Sequence, residues 1–120
     1  MYYKQEIGKF GEEKVVEYLI NHHYTIIEKN FRCYFGEIDI IARDNKKNEI
    51  VFFEVKTRNG NRYGNPADAV NRTKKKHIYK TAECYIHKNN IKNEFIRIDV
   101  IEVYLNKNGS YSINHIRQIF

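Results

Sequence analysis

Two runs of strand-forming residues, at residues 36–42 and 50–58, constrain the fold of this chain most strongly. Both are rich in β-branched and aromatic residues, and the polar stretch between them is short enough for an antiparallel hairpin. The first run contains Asp39, and the second contains Glu54 and Lys56. Charged side chains on such strands are costly to bury unless they pair or bind a metal ion. The hairpin therefore predicts a functional site.

Side chains alternate between the two faces of a strand, and this assigns the residues of both runs to faces. One face of the second run begins apolar and becomes ionisable, with Ile50, Phe52, Glu54 and Lys56. Its opposite face is apolar throughout, with Val51, Phe53 and Val55. In the first run, Asp39 shares a face with Glu37 and Ile41, opposite Ile38, Ile40 and Ala42. We expect the two ionisable segments to lie together.

The remaining segments predict an α/β fold in one domain, residues 1–120. Hydrophobic periodicity and turn residues predict helices over residues 4–22 and 67–87, and further strands over residues 24–31, 94–105 and 111–116. The order is helix, three strands, helix, two strands. It predicts a mixed central sheet of about five strands flanked by two main helices. A chain of 120 residues has room for one core.

Composition narrows the class of partner. Lys and Arg outnumber Asp and Glu by 21 to 15, which favours an anionic partner. The two cysteines, Cys33 and Cys84, form no Cys-x-x-Cys unit, so we expect reduced thiols in a cytoplasmic protein and no disulfide framework or zinc knuckle. No apolar run approaches the length of a membrane span, so we expect no membrane association.

Basic residues cluster in the second predicted helix and in the loop before it. No acidic residue occurs between Ala69 and Ala82, and Lys74 falls on the inward side of the helix with Ile78. Charge runs are often only solvated faces, but a patch of one sign near a helix start also suits phosphate groups. The candidate nucleic-acid contacts are Arg58, Arg62, Tyr63, Arg72, Lys74, Lys75, Lys76 and Lys80.

The ordered motifs of the chain resemble one family. They are Gly11-Glu12, Asn30-Phe31-Arg32, Gly36-Glu37-Ile38-Asp39, Phe53-Glu54-Val55-Lys56-Thr57-Arg58, Gly64-x-Pro66 and the basic helix that follows. This set, which runs from about Ile7 to Phe120, is similar to the YraN-like family of small bacterial proteins. Asp39 followed by Glu54-x-Lys56 also resembles the signature of the PD-(D/E)XK nuclease superfamily. The resemblance implies the three-layer, restriction-endonuclease-like core of that superfamily, similar to archaeal Holliday junction resolvases.

The resemblance also implies a chemistry, namely metal-dependent hydrolysis of phosphodiester bonds in DNA, including branched DNA. Carboxylates suit Mg²⁺ or Mn²⁺, so we expect Asp39, Glu54 and the carbonyl of Val55 to hold the ion. Glu12 lies on the inward stripe of the first helix and matches an acidic position of resolvase-like proteins, although it could instead reach water. Lys56 would orient or deprotonate the attacking water. Resolvases act as symmetric dimers, which suggests a homodimer.

Two alternatives remain open at this stage. A non-catalytic nucleic-acid-binding module could keep the fold and the basic helix as a subunit of a DNA recombination, repair or uptake complex. A carboxylate-pair hydrolase such as a glycosidase would use Glu37 and Glu54, but it leaves Lys56 unexplained.

Several other residues carry structural expectations. Asp99 is expected to pair with Arg97 or a loop. The histidines, which form no metal-ligand spacing, are expected to be polar residues without a site role: His22, His23, His77, His87 and His115. Gly8 and Gly11 lack the context of a phosphate-binding loop and are expected to allow close helix packing.

Overall fold

The computed structural model describes residues 2–59 and 72–119, with side chains described from residue 6 onwards, excluding residue 59. It contains two helices and five strands in the predicted order. Their bounds are α1 Tyr2–Asn21, β1 Tyr24–Cys33, β2 Gly36–Asp44, β3 Glu49–Asn59, α2 Arg72–Lys88, β4 Phe95–Leu105 and β5 Tyr111–Ile116. The predicted α/β class is therefore confirmed. Two predicted site residues, Arg62 and Tyr63, lie outside the described residues.

The five strands form one mixed sheet in the order β1-β2-β3-β4-β5. The first three make an antiparallel meander, β4 runs parallel to β3, and β5 returns antiparallel to β4. The parallel step requires a crossover, and α2 lies within that connection. Asn106 and Gly109 close the last hairpin through a backbone hydrogen bond of 3.1 Å, and Gly109 adopts a φ of 86°.

Apolar side chains of the sheet form one core cluster against each helix. The cluster against α1 includes Val15 and Leu19 of the helix together with Val51 and Phe53 of β3. The cluster against α2 includes Ile78, Ala82 and Tyr85 of the helix together with Ile50 and Phe52 of β3. The alternation predicted for β3 is therefore confirmed, and the sheet lies between the two helices.

Strand β2 separates from β3 at the position of Asp39. Pairing between the two strands ends at Ile40 and Phe53, whereas β2 continues to pair with β1 as far as Gly36. Ile38 belongs to the α2-side cluster and Ile40 to the α1-side cluster, so the prediction that they share a face is wrong. Ile38 lies beyond the last pair between β2 and β3, which joins Ile40 and Phe53. This separation opens the sheet between Asp39 and Glu54.

The two glycines of α1 have different surroundings. A Cβ atom on Gly11 would overlap the side chain of Thr57 on β3, whereas a Cβ on Gly8 would meet nothing within 4 Å. Close packing is therefore confirmed for Gly11 and wrong for Gly8. The contact at Gly11 brings the next residue, Glu12, towards the sheet.

A buried polar network lies on the α1 side, away from the separation of β2 and β3. Asp99 accepts hydrogen bonds from Arg97 at 3.0 Å and from the backbone of Gln118 at 2.8 Å, which confirms its structural role. His115 lies 2.7 Å from Asp99 and 2.9 Å from the hydroxyl of Tyr18. His115, which was expected to be a polar residue without a site role, belongs to this network, and its side chain is only 6% exposed.

Candidate active site

The candidate site lies where β2 and β3 separate, beneath α2. A cleft of about 460 Å³ is lined there by Asp39 and Glu54 from the two strands. Residues of the β1–β2 turn and one face of α2 complete the lining: Phe35, Gly36, Glu37, Thr73, Lys74, His77, Ile78 and Thr81. Most of the helix residues follow the three- and four-residue spacing of one helical face. Their role was missed in the sequence because only Lys74 and Ile78 were assigned to that face.

Asp39 is held at the separation by the backbone of β3. The N–H of Val55 donates a hydrogen bond of 2.8 Å to Oδ2 of Asp39. This side-chain contact follows the last backbone pair between β2 and β3, which joins Ile40 and Phe53. Burial and the charge of Glu54 raise the pKa of Asp39 from its ordinary value of 3.8 to about 7, against the opposing effect of the Val55 N–H. The two carboxylates therefore share one electrostatic environment.

Glu54 is the centre of the site's ion pairs. Its side chain is 10% exposed, and its Oε1 lies 3.1 Å from Nζ of Lys56 and 2.8 Å from Nζ of Lys74. Lys56 follows Glu54 by two residues on β3, so the two side chains lie on the same face of the strand. Lys74 reaches the same oxygen from the first turns of α2. The predicted inward orientation of Lys74 is confirmed, and its ammonium contacts Glu54.

The pKa values of the two lysines are shifted in opposite directions. Burial, followed by the neighbouring Lys74, lowers the pKa of Lys56. Burial also acts to lower the pKa of Lys74, but its hydrogen bonds to Glu54 and Lys56 outweigh burial and raise it. Lys74 is thus the firmly charged member of the pair, and Lys56 is the amine that gives up its proton more readily. This is the direction required of a lysine that handles a proton from water.

Two further acids lie around Asp39. Burial, followed by the charge of Glu37, raises the pKa of Glu12, and the charges of Glu12 and Glu37 also act on Asp39. Glu37 is ion-paired with Arg32 across the β1–β2 hairpin. Glu12 lines a neighbouring cleft with Lys29. Within residues 2–59 and 72–119, no three His, Cys, Asp or Glu side chains converge closely enough to hold a metal ion by themselves.

The predicted nucleic-acid contacts divide into two groups. Arg58 is turned towards β4, where its Nε lies 3.1 Å from Glu102, a carboxylate that is 1% exposed. On α2, in contrast, one of the predicted basic residues lines the cleft and another lies at its edge. Lys74 enters the cleft, and Lys80 lies with its Nζ 5.2 Å from the ring centroid of Phe35 at the cleft edge. Arg72 and Lys76 are exposed, and Lys75 is partly buried.

Neither described helix is long and apolar enough to cross a membrane. Cys33 and Cys84 are free thiols.

Comparison with known proteins identifies relatives along almost the whole chain. A UPF0102 protein of Clostridium botulinum (strain 657 / Type Ba4) is 54% identical over 121 residues, which cover 99% of this chain and 97% of the relative. A UPF0102 protein of Caldicellulosiruptor saccharolyticus is 46% identical over 118 residues, which cover 98% of each chain. The family model described as Uncharacterised protein family UPF0102 matches residues 11–103, a span that contains Glu12, Asp39, Glu54, Lys56 and Lys74. The chain belongs to the UPF0102 family.

Proposed function

We propose that this protein is a metal-dependent endonuclease of the PD-(D/E)XK type that hydrolyses phosphodiester bonds in DNA. The observation that carries the proposal is that Asp39 and Glu54 line one cleft beneath a cationic helix and that two lysines, Lys56 and Lys74, contact Glu54. Carboxylates that share a site with lysines suit phosphoryl chemistry, in which developing negative charge must be neutralised.

The residues present fit a divalent cation bound together with substrate. The charge of Glu54 helps to raise the pKa of Asp39, and a bound cation would offset that effect. Mg²⁺ and Mn²⁺ suit oxygen ligands, and Mg²⁺ is commonly bound through one or two carboxylates plus substrate phosphates instead of a complete protein cage. Asp39, Glu54 and the carbonyl of Val55 would hold the ion, with Glu12 as a nearby acid. When bound, the ion would supply charge neutralisation and a more acidic water.

The chain's own residues would perform the remaining tasks. Lys56, whose pKa is lowered by burial and by Lys74, would orient the attacking water and, in its neutral amine form, accept the proton of that water. Lys74 would stay protonated, position Glu54 and attract the negatively charged phosphate. Asp39 would be fixed in orientation by the Val55 N–H before substrate arrives. This division gives each lysine a different task in the same cleft.

Helix α2 would position the nucleic-acid backbone. Its described first turn has no acidic residue, and its N-terminal N–H groups also favour anions. Contacts of this type fix the register of the backbone without reading its sequence. The helix residues proposed for this role are Arg72, Lys74, Lys75, Lys76 and Lys80, and Arg62 and Tyr63 are proposed as further contacts. Arg58, near the end of β3, is proposed to contact the backbone only on leaving its partner Glu102. Branched DNA, a homodimer and a cytoplasmic location complete the proposal.

A non-catalytic nucleic-acid-binding module is the second candidate. The observation in its favour is that both lysines already engage Glu54, while the described residues contain no three-ligand metal cluster. In this case Asp39 and Glu54 would perform no chemistry, and α2 would bind nucleic acid for a partner subunit that supplies it. The two candidates differ in whether cleavage follows binding.

A cleavage assay tests the proposal. The wild-type protein would be incubated with Mg²⁺ or Mn²⁺ and a panel of junction, flap, single-stranded and duplex DNA plus RNA. Asp39→Asn removes the carboxylate charge while keeping an oxygen for the Val55 N–H, and Glu17→Gln changes an exposed carboxylate on α1 as the control. We expect metal-dependent cleavage by the wild type and the control but not by Asp39→Asn. Cleavage that persists in Asp39→Asn would refute the proposed site.

A further inference from the structure

The turn between β1 and β2 presents two adjacent aromatic residues to solvent. Cys33 pairs with Gly36, so Tyr34 and Phe35 form a two-residue turn. Tyr34 is 96% exposed and Phe35 is 41% exposed, whereas Phe31 on the same hairpin is 4% exposed. The two rings pack edge to face, with centroids 5.3 Å apart and planes at 83°. Tyr34 thus contacts Phe35 and still leaves nearly all of its surface open to solvent.

The aromatic turn is continuous with the candidate active site and with the cationic helix. Phe35 lines the same cleft as Asp39 and Glu54. Nζ of Lys80 on α2 lies 5.2 Å from the centroid of the Phe35 ring, within the range of a cation–π contact. An exposed ring, a cleft lined by carboxylates and two lysines of α2, Lys74 and Lys80, thus occupy one surface.

The turn is also held in place before any ligand binds. The N–H of Phe35 donates a hydrogen bond of 3.4 Å to Sγ of Cys33, and Arg32 forms an ion pair with Glu37 across the base of the turn. Gly36 has a φ of 152°, within the range that favours glycine. A contact made by a pre-positioned ring loses less conformational entropy than one made by a mobile side chain.

We propose that Tyr34 stacks on an unpaired base of the nucleic acid that enters the cleft. Bases inside a duplex are already stacked and paired, so a protruding ring can reach only a base in a single strand, at an end, in a flap or at a branch. Aromatic rings flanked by cations are a general means of binding single strands without sequence preference. This inference rests on the proposed function and narrows its substrate to nucleic acid with an unpaired base beside the cleaved bond.

The same surface favours nucleic acid over a second copy of this chain. The basic face of α2 borders the aromatic turn through Lys80, and the whole chain carries a formal charge of +6. Two copies joined through this surface would bring like charges together, whereas a phosphate backbone supplies the opposite charge along its length. Charge complementarity therefore identifies the occupant as a polyanion with flat, stackable groups.

The test is a binding measurement in EDTA, so that cleavage plays no part. The probes are a single-stranded DNA 12-mer carrying one 2-aminopurine, whose fluorescence falls on stacking, and a blunt duplex of the same sequence. Tyr34→Ala should weaken single-strand binding by about 5- to 100-fold and abolish the quenching, with duplex binding changed less than about twofold. Tyr34→Phe should retain both properties. The control is Phe95→Ala, which removes another exposed ring. Phe95 begins β4 and pairs with the start of β3, at the end of the sheet away from the cleft, so this variant should bind as the wild type does.

Each other outcome has a defined meaning. An unchanged ratio of single-strand to duplex affinity in Tyr34→Ala would overturn the proposal. A loss of mass in sedimentation on the same substitution would also overturn it, because the turn would then be a self-association surface. Tyr34-dependent quenching without any cleavage by the wild type would support the stacking site and reject the nuclease. Cleavage by the wild type, together with no effect of Tyr34→Ala on binding, would support the nuclease and reject the stacking site.

Discussion

Replacing Asp39 with Asn should stabilise the metal-free fold, and the gain should increase with pH. Burial and the charge of Glu54 raise the pKa of Asp39 from 3.8 to about 7. Between these two values the folded protein keeps a proton that the unfolded chain has released. The stability of the wild type therefore falls as the pH rises through this interval. An Asn at this position has no proton to lose and can still accept the Val55 N–H.

The size of the effect follows from the same two pKa values. A difference of about three units corresponds to about 4 kcal/mol of destabilisation once the pH exceeds the folded-state pKa. Between pH 5 and pH 8, this group alone should lower the free energy of unfolding by about 2 to 3 kcal/mol. Other titrating groups are common to both proteins, so the difference between wild type and Asp39→Asn isolates the contribution of Asp39.

Urea denaturation in EDTA at pH 5, 6, 7 and 8 provides the measurement. We expect the stability advantage of Asp39→Asn to widen steadily with pH, and the Glu17→Gln variant to show the effect of losing an exposed carboxylate. An offset between wild type and Asp39→Asn that stays constant across this range would refute the reasoning. So would a variant less stable than the wild type at pH 8.

Two further predictions concern the scaffold, and both use urea denaturation. Gly11→Ala should lower the free energy of unfolding by about 1 to 3 kcal/mol because the new methyl group meets Thr57, whereas Gly8→Ala should raise it by about 0.5 to 1 kcal/mol through helix propensity. Equal effects of the two substitutions would contradict the close approach of α1. Arg97→Ala should lower the free energy of unfolding by about 3 to 5 kcal/mol because it leaves buried carboxylates without their partner. Arg32→Ala, which breaks an exposed ion pair, should lower the free energy of unfolding by at most about 1 kcal/mol. A smaller loss for Arg97→Ala than for Arg32→Ala would be inconsistent with the buried network.

The predictable part of the fold was the part that depends on local patterns. Alternation along β3 assigned Phe52 and Phe53 to opposite faces, and the structure places them in the two separate core clusters. Alternation failed at Ile38, which lies beyond the last pair between β2 and β3. Composition gives no sign of the position at which β2 leaves β3.

The unpredictable part consists of contacts between segments distant in sequence. Helical spacing placed Lys74 on the inward face, but its partner Glu54 is on a strand and no local pattern connects them. His115 looked like an ordinary polar residue, yet it is buried between Tyr18 and Asp99, and Tyr18 is 97 positions away. Such pairs become visible only when the sheet and helices are assembled.

The most direct test of the proposed activity is to measure affinity and cleavage rate side by side on the best substrate of the panel, with Mg²⁺ present. If the protein is a nuclease with this site, Asp39→Asn should bind this DNA at least as tightly as the wild type, because the substitution removes a negative charge from the cleft. The variant should nevertheless cleave the DNA at no more than the background rate. Lys56→Ala should also bind and fail to cleave. If the wild-type protein binds the DNA as tightly as Asp39→Asn does but never cleaves it, this result would contradict the nuclease proposal and favour the binding module.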